Sequence, residues 1–157
     1  MATRPKASVV PFTHHAEGTG VGQQVTVGGD AGHVFDVDTY PAFGGADASP
    51  SPLSYVLGAL SSCNQITASI VAKELGVTLG AWTFDVQGDL DTAVMVSGDE
   101  GNANFDAVTV RATVQTDADE ETFEKLVAET ERRCPVTQLF RRSGLDYTSD
   151  WTRAALS

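Results

Sequence analysis

The sequence predicts an α+β fold, read as a single domain over residues 1–157. Three observations predict it. A long helical segment of small and apolar residues stands near the middle, alternating strands flank it on both sides, and two helices follow one another before a last strand. Strands and helices grouped in this way differ from the one-by-one alternation of a parallel sheet. A chain of 157 residues is also long enough to bury a sizeable core without disulfide staples.

The elements follow in order. Val21, Gln23, Val25 and Val27 have the two-residue period of a half-buried strand, closed by Gly28-Gly29-Asp30. His33 to Asp38 reads as its hairpin partner, with Val34 and Asp36 on one face and Phe35 and Val37 on the other. Residues 40–52 hold three prolines and two adjacent glycines, and read as a loop. Ser51 then suits an N-cap, Pro52 the first helical position and Gly76 the residue past the end. Between them Leu53, Val56, Leu57, Leu60, Cys63, Thr67, Ile70 and Val71 recur mostly at spacings of three and four. No charge occurs before Lys73, so this helix is expected to be buried nearly all round, with Cys63 in a central, largely dry position.

Trp82, Phe84 and Val86 alternate as a strand, Ala93 to Ser97 as a second, and Val108, Val110, Ala112 and Val114 as a third. Asp117 or Asp119 is expected to cap the next helix, whose apolar stripe is Phe123, Leu126 and Val127, extending to Thr130. Cys134-Pro135 interrupts that helix, and a new one is expected from Pro135 to Ser143, because proline cannot continue a hydrogen-bond ladder but can begin one. Gly144 ends it. Leu145, Tyr147, Ser149 and Trp151 alternate as a final strand.

Composition narrows the function. The net charge of -11 argues against a broad basic face for nucleic acid or anionic membrane. No segment has the apolar length of a membrane helix, and Met1 to Pro11, with Arg4 and Lys6, lacks the apolar core of a secretory signal. Two cysteines do not make a disulfide-rich scaffold and suit a reducing compartment, so a cytoplasmic location is expected.

The cysteines carry the candidate chemistry. Cys63 in a packed helix reads either as a small buried hydrophobe or as a redox thiol. It lies about three turns inside its helix, beyond the reach of the N-terminal dipole. Cys134, as the N-cap of the Pro135 helix, meets free amides that favour a thiolate. A metal site joining these cysteines to His14, His15 or His33 has no supporting ligand spacing, and no metal or cofactor is expected. Gly44-Gly45 lacks the strand, helix and Lys-Ser/Thr of a phosphate loop. Trp82 and Trp151 read as core or interface residues, or as walls of an apolar pocket.

Two stretches resemble the OsmC/Ohr family, the osmotically inducible and organic hydroperoxide resistance proteins. The first runs from Gly44-Gly45 through Ser49-Pro50-Ser51-Pro52 to Leu57-Gly58-Ala59-Leu60-Ser61-Ser62-Cys63; the second is Cys134-Pro135-Val136 with Leu139. The resemblance implies curved antiparallel sheets wrapped around long central helices in an intertwined homodimer, with active sites at the interface. It implies that Cys63 is peroxidatic toward organic hydroperoxides and that Cys134 resolves the sulfenic acid as a disulfide. Thiols or lipoylated proteins would then reduce the pair.

The chain departs from the family pattern in its charged support. No arginine occurs from Pro5 to Val110, and Leu53 and Ser54 stand where the family often has its glutamate. The cations available to replace that support are His14, His15, His33, Arg132 and Arg133. Two rival readings follow: a non-peroxidase dimer that binds a small apolar ligand, and a slow redox sensor built on the same cysteines.

Overall fold

The computed structural model describes residues 9–157, which fall into two compact units dividing between Tyr55 and Val56. Arg4 and Lys6 lie outside the described residues.

The first unit is built on an antiparallel sheet, β1 (His14–Thr19), β2 (Gly22–Val27) and β3 (Val34–Val37), in that order. The predicted pairing of β2 with β3 is present, with Val25 opposite Phe35. β1 has no strand signal in the sequence, because its His-His-Ala-Glu-Gly-Thr run is polar and almost wholly exposed and so has no apolar alternation. The glycine-rich loop is organised by Asp38, whose carboxylate accepts N–H bonds from Thr39, Ala46 and Ala48 at 2.8–3.1 Å. These donors hold the Asp38 carboxyl below the usual carboxylate range. Gly45 is required there, since a Cβ would lie 2.0 Å from the Thr39 carbonyl oxygen. Tyr55 closes the unit by donating its hydroxyl to the Asp36 carbonyl at 2.6 Å, and its ring packs 4.9 Å from Phe35.

Helix α1 (Pro52–Leu75) begins as expected, with the Ser54 N–H donated to Ser51 Oγ at 3.2 Å, and ends at Gly76, whose φ of 72° suits glycine. The second unit continues with β4 (Leu79–Asp89), β5 (Ala107–Thr116), helices α2 (Glu120–Arg133) and α3 (Pro135–Arg142), and β6 (Asp146–Ala154). β5 is the central strand, antiparallel to β4 and parallel to β6. This sheet is therefore mixed, where wholly antiparallel sheets were expected. A parallel neighbour needs a crossover, and α2 and α3 supply it.

Val108, Val110, Ala112 and Val114 of β5 all point inward and are almost fully buried. They join two adjoining clusters. One holds Ala68, Val71 and Ala72 of α1 with Val114, Ala118, Phe123 and Leu126; the other holds Leu60 with Val108, Val110 and Phe140. Trp82 stacks on Phe84 at 5.4 Å and meets Trp151 edge-on at 5.6 Å, so this aromatic group belongs to the packed sheet.

Two expectations need correction. Ala93–Ser97 is a single π-helical turn rather than a strand. Asp91 accepts the Ala93 N–H at 2.9 Å, and Gly98 closes the turn at φ 74°. A five-residue apolar run carries too few residues to separate the two periods. Nor is α1 buried all round in this chain. Leu60, Asn64, Thr67, Ala68, Val71 and Ala72 face inward, whereas Val56, Ile66 and Ile70 are 43%, 64% and 50% exposed. Sheet and crossover helices cover only one side of it.

The caps of the crossover helices follow the predicted chemistry. Asp119, one of two candidates, caps α2 by accepting the Thr122 N–H at 2.9 Å, and the Thr122 hydroxyl, followed by this N–H, lowers its carboxyl pKa. Asp117 instead accepts the Thr78 N–H at 2.7 Å. α3 starts at Pro135 with Cys134 as its N-cap and stops one residue earlier than expected, at Arg142.

Candidate functional site

Cys63 and Cys134 are brought together from α1 and from the α2–α3 junction. Both are free thiols, and they lie within interaction range of one another. Cys134 is fully buried, whereas Cys63 is half-buried. The expected dry, central position for Cys63 is thus corrected. Seven residues make nearly two helical turns, so Val56, Cys63 and Ile70 share one stripe. Cys63 stands at the seam between that exposed stripe and the inward face bearing Leu60 and Thr67.

Cys134 is a joint between two helices. Its N–H donates to the Thr130 carbonyl at 2.8 Å, ending α2, and its carbonyl accepts the Gln138 N–H at 3.0 Å, beginning α3. Its sulfur accepts the Thr137 N–H at 3.4 Å. The predicted N-cap role is present, with sulfur in place of the usual oxygen.

The Cys63 thiol is held above its ordinary pKa, chiefly by burial. The Val136 N–H at the start of α3 pulls the other way, the Cys134 thiol raises the value further, and the Thr67 hydroxyl favours the thiolate. No cation is among these groups. The two arginines beside Cys134 do not supply one, because each is committed to a carboxylate. Arg133 makes a bidentate pair with Glu74 at 2.6 and 3.0 Å, and Arg132 pairs with Glu129 at 2.7 Å. His14 and His15 are exposed on β1, where His15 lies 3.8 Å from Glu17, and His33 is exposed before β3. Among the described residues, no three His, Cys, Asp or Glu side chains gather as metal ligands.

Buried polar residues surround the pair, and of these Asn64 and Thr137 were not among the residues singled out from sequence as polar partners. Asn64 and Thr137 are fully buried, and Thr137 Oγ1 donates to Asn64 Oδ1 at 2.8 Å. Thr130 Oγ1 and Tyr147 OH are also buried. A signal for Asn64 was available: it stands four residues after Leu60 and seven before Val71, on the inward stripe where an apolar residue is the norm.

An α+β chain that sets a half-buried thiol on a long helix beside a buried thiol at a helix junction is a two-cysteine protein by fold and site. The OsmC-like protein family model matches residues 44–149, and the chain belongs to that family. Solved structures share its fold. An OsmC-like protein from Mycoplasma pneumoniae superposes with a TM-score of 0.75 at 17% identity, covering 92% of this chain and 98% of that one. An organic hydroperoxide resistance protein from Elizabethkingia anophelis gives 0.71 at 18% identity, covering 95% and 100%. The organic hydroperoxide resistance protein OhrB of Bacillus subtilis gives 0.60 at 20% identity, covering 92% and 100%. No match was found among the curated proteins. No helix among the described residues is long and apolar enough to cross a membrane.

Proposed function

We propose that this chain reduces organic hydroperoxides with electrons from an external thiol or a lipoylated protein, Cys63 attacking the peroxide and Cys134 resolving the product. The observation that carries this reading is the pairing of the two thiols, one half-buried and one enclosed, in a chain of this family. A peroxide can reach a half-buried sulfur, while a fully buried one is suited to the second step. Residues 1–157 act as one OsmC-like domain in the reducing cytoplasm. The exposed stripe of Val56, Ile66 and Ile70 is an apolar surface that a second copy would cover, placing Cys63 at a homodimer interface.

The test mixes reduced protein with one equivalent of cumene hydroperoxide and follows free thiols and intact mass. Loss of both thiols and of the mass of two hydrogens, abolished in Cys63→Ser, supports the reading. A folded protein that stays reduced for hours would sink it.

A second reading is favoured by the raised Cys63 pKa, with no cation among the described groups that act on it. With little thiolate at neutral pH the pair would oxidise slowly and serve as a redox sensor, or the chain would bind an apolar ligand without peroxidase chemistry. Oxidation at equilibrium in disulfide buffers, with no fast reaction with peroxide, distinguishes the sensor.

A further inference from the structure

Asn64 follows Cys63 directly on α1, and Thr137 donates its backbone N–H to the Cys134 sulfur at 3.4 Å. The 2.8 Å bond from Thr137 Oγ1 to Asn64 Oδ1 therefore ties the residue beside one thiol to the residue that caps the other. Among the described residues it is the one hydrogen bond between a side chain of α1 and a side chain of α3. Both side chains are fully buried, and Asn64 Nδ2 has no hydrogen-bond partner among the described residues. Burying an amide that is only half satisfied is costly, and an apolar residue of similar volume would avoid the cost. Stability alone does not account for an asparagine here.

We propose that Asn64 and Thr137 are positioning residues for disulfide closure: their hydrogen bond holds the first turn of α3 against α1 and fixes Cys134 beside Cys63. The proposal rests on reading the two cysteines as one redox pair. In that chemistry the Cys63 thiolate attacks one peroxide oxygen, the O–O bond breaks, and the departing alkoxide takes a proton to leave as the alcohol. The Cys134 sulfur then attacks the Cys63 sulfenic acid. An S–S bond forms as the S–O bond breaks, hydroxide leaves with the Cys134 proton as water, and the two electrons have come from the dithiol. The second step is intramolecular, so its rate and equilibrium depend on how closely the two sulfurs are held. A disulfide also demands a narrow range of Cβ separation.

The experiment equilibrates the whole protein in glutathione buffers without peroxide, and separately oxidises it with cumene hydroperoxide in the presence of dimedone. Thr137→Val removes the hydroxyl at nearly constant shape, Asn64→Leu removes the acceptor, and Thr137→Ser restores the donor. Thr137→Val and Asn64→Leu are expected to lower the effective concentration for disulfide closure about tenfold, a shift of about 30 mV for a two-electron couple. In the peroxide arm they raise the share of Cys63 trapped by dimedone. Thr137→Ser returns both readings toward wild type, which a purely structural loss would not do. The glutathione arm supports the positioning role even where cumene hydroperoxide leaves the thiols untouched, so failure of the peroxidase reading is separable. Unchanged closure in folded Thr137→Val overturns the proposal, as does a wild-type protein that forms no disulfide in any glutathione buffer. Should Asn64→Leu fail to fold, the Val and Ser variants at position 137 carry the test.

Discussion

Cys63 and Cys134 meet in one place but belong to different kinds of surroundings. Cys63 rises from the middle of a continuous helix, at the border of an apolar stripe open to water in the single chain. Its neighbours act on it mainly by removing solvent. Cys134 is enclosed, breaks the chain between two helices, and is bonded through its N–H, its carbonyl and its sulfur. Access is greater at the first and local order at the second. A two-step thiol reaction divides along the same line, with encounter at the accessible sulfur and closure by the ordered one.

The most severe break in this comparison is to remove one thiol at a time. Cys63→Ser is expected to abolish peroxide-dependent oxidation, while Cys134→Ser still consumes one equivalent and stops at a Cys63 sulfenic acid, detected as a dimedone adduct. Next is access. Iodoacetamide is expected to modify Cys63 in the native protein and Cys134 only once urea opens the fold, with peptide mass spectrometry locating each adduct.

The two sides of α1 can be contrasted in the same way. Leu60→Ala, within the second core cluster, is expected to cost about 2–5 kcal/mol in urea unfolding. Ile66→Lys with Ile70→Lys should change the fold's stability far less while abolishing self-association in sedimentation velocity. Unaltered association would remove the stripe as the dimer surface.

A gentler probe is pH. The native state raises the Cys63 thiol pKa, so its alkylation rate should climb through a midpoint above the ordinary cysteine value of about 8.5. The sign for stability follows. Between the unfolded and folded pKa values the native state holds more protons, so stability falls as pH rises through that window and then levels off. Cys63→Ala removes this slope. Smallest is the contrast of caps: Asp119→Ala, with an oxygen cap on α2, should cost about 1 kcal/mol. Cys134→Ala, losing a longer contact to sulfur, should weaken the α3 cap less.

Most of the fold was legible because its signals are local. The β5 valines keep a strict period of two, and Ser51-Pro52, Asp119, Cys134-Pro135 and Gly144 mark helix starts and stops at the right places. Less legible were features that depend on what lies alongside. Val56, Ile66 and Ile70 look like core residues in sequence, but no pattern within the helix says which neighbour covers them. β1 carries no apolar alternation, and residues 93–97 carry apolar residues without a decisive period. At the candidate site, the two cysteines stand out in the sequence, as does the run without arginine from Pro5 to Val110. The partner that occupies Arg133 does not, since Glu74 is 59 positions away and only the fold brings them together. Asn64 was visible as a polar residue on an apolar stripe, but its link to Thr137 spans 73 positions.

The parallel register of β6 beside β5 has a consequence for how the molecule assembles itself. β4 and β5 can zip as neighbours early, but β6 can align only after the chain of residues 117–145 has looped back across the sheet. Contacts so distant in sequence carry a closure cost that must be met before they reward it. Cys134 rides on that loop, so the dithiol is expected to come into being late, after the sheet's first pairing. Pulse-labelling of thiols during refolding gives the order, and equal protection of Cys134 and the β4–β5 amides at the earliest times would reverse it.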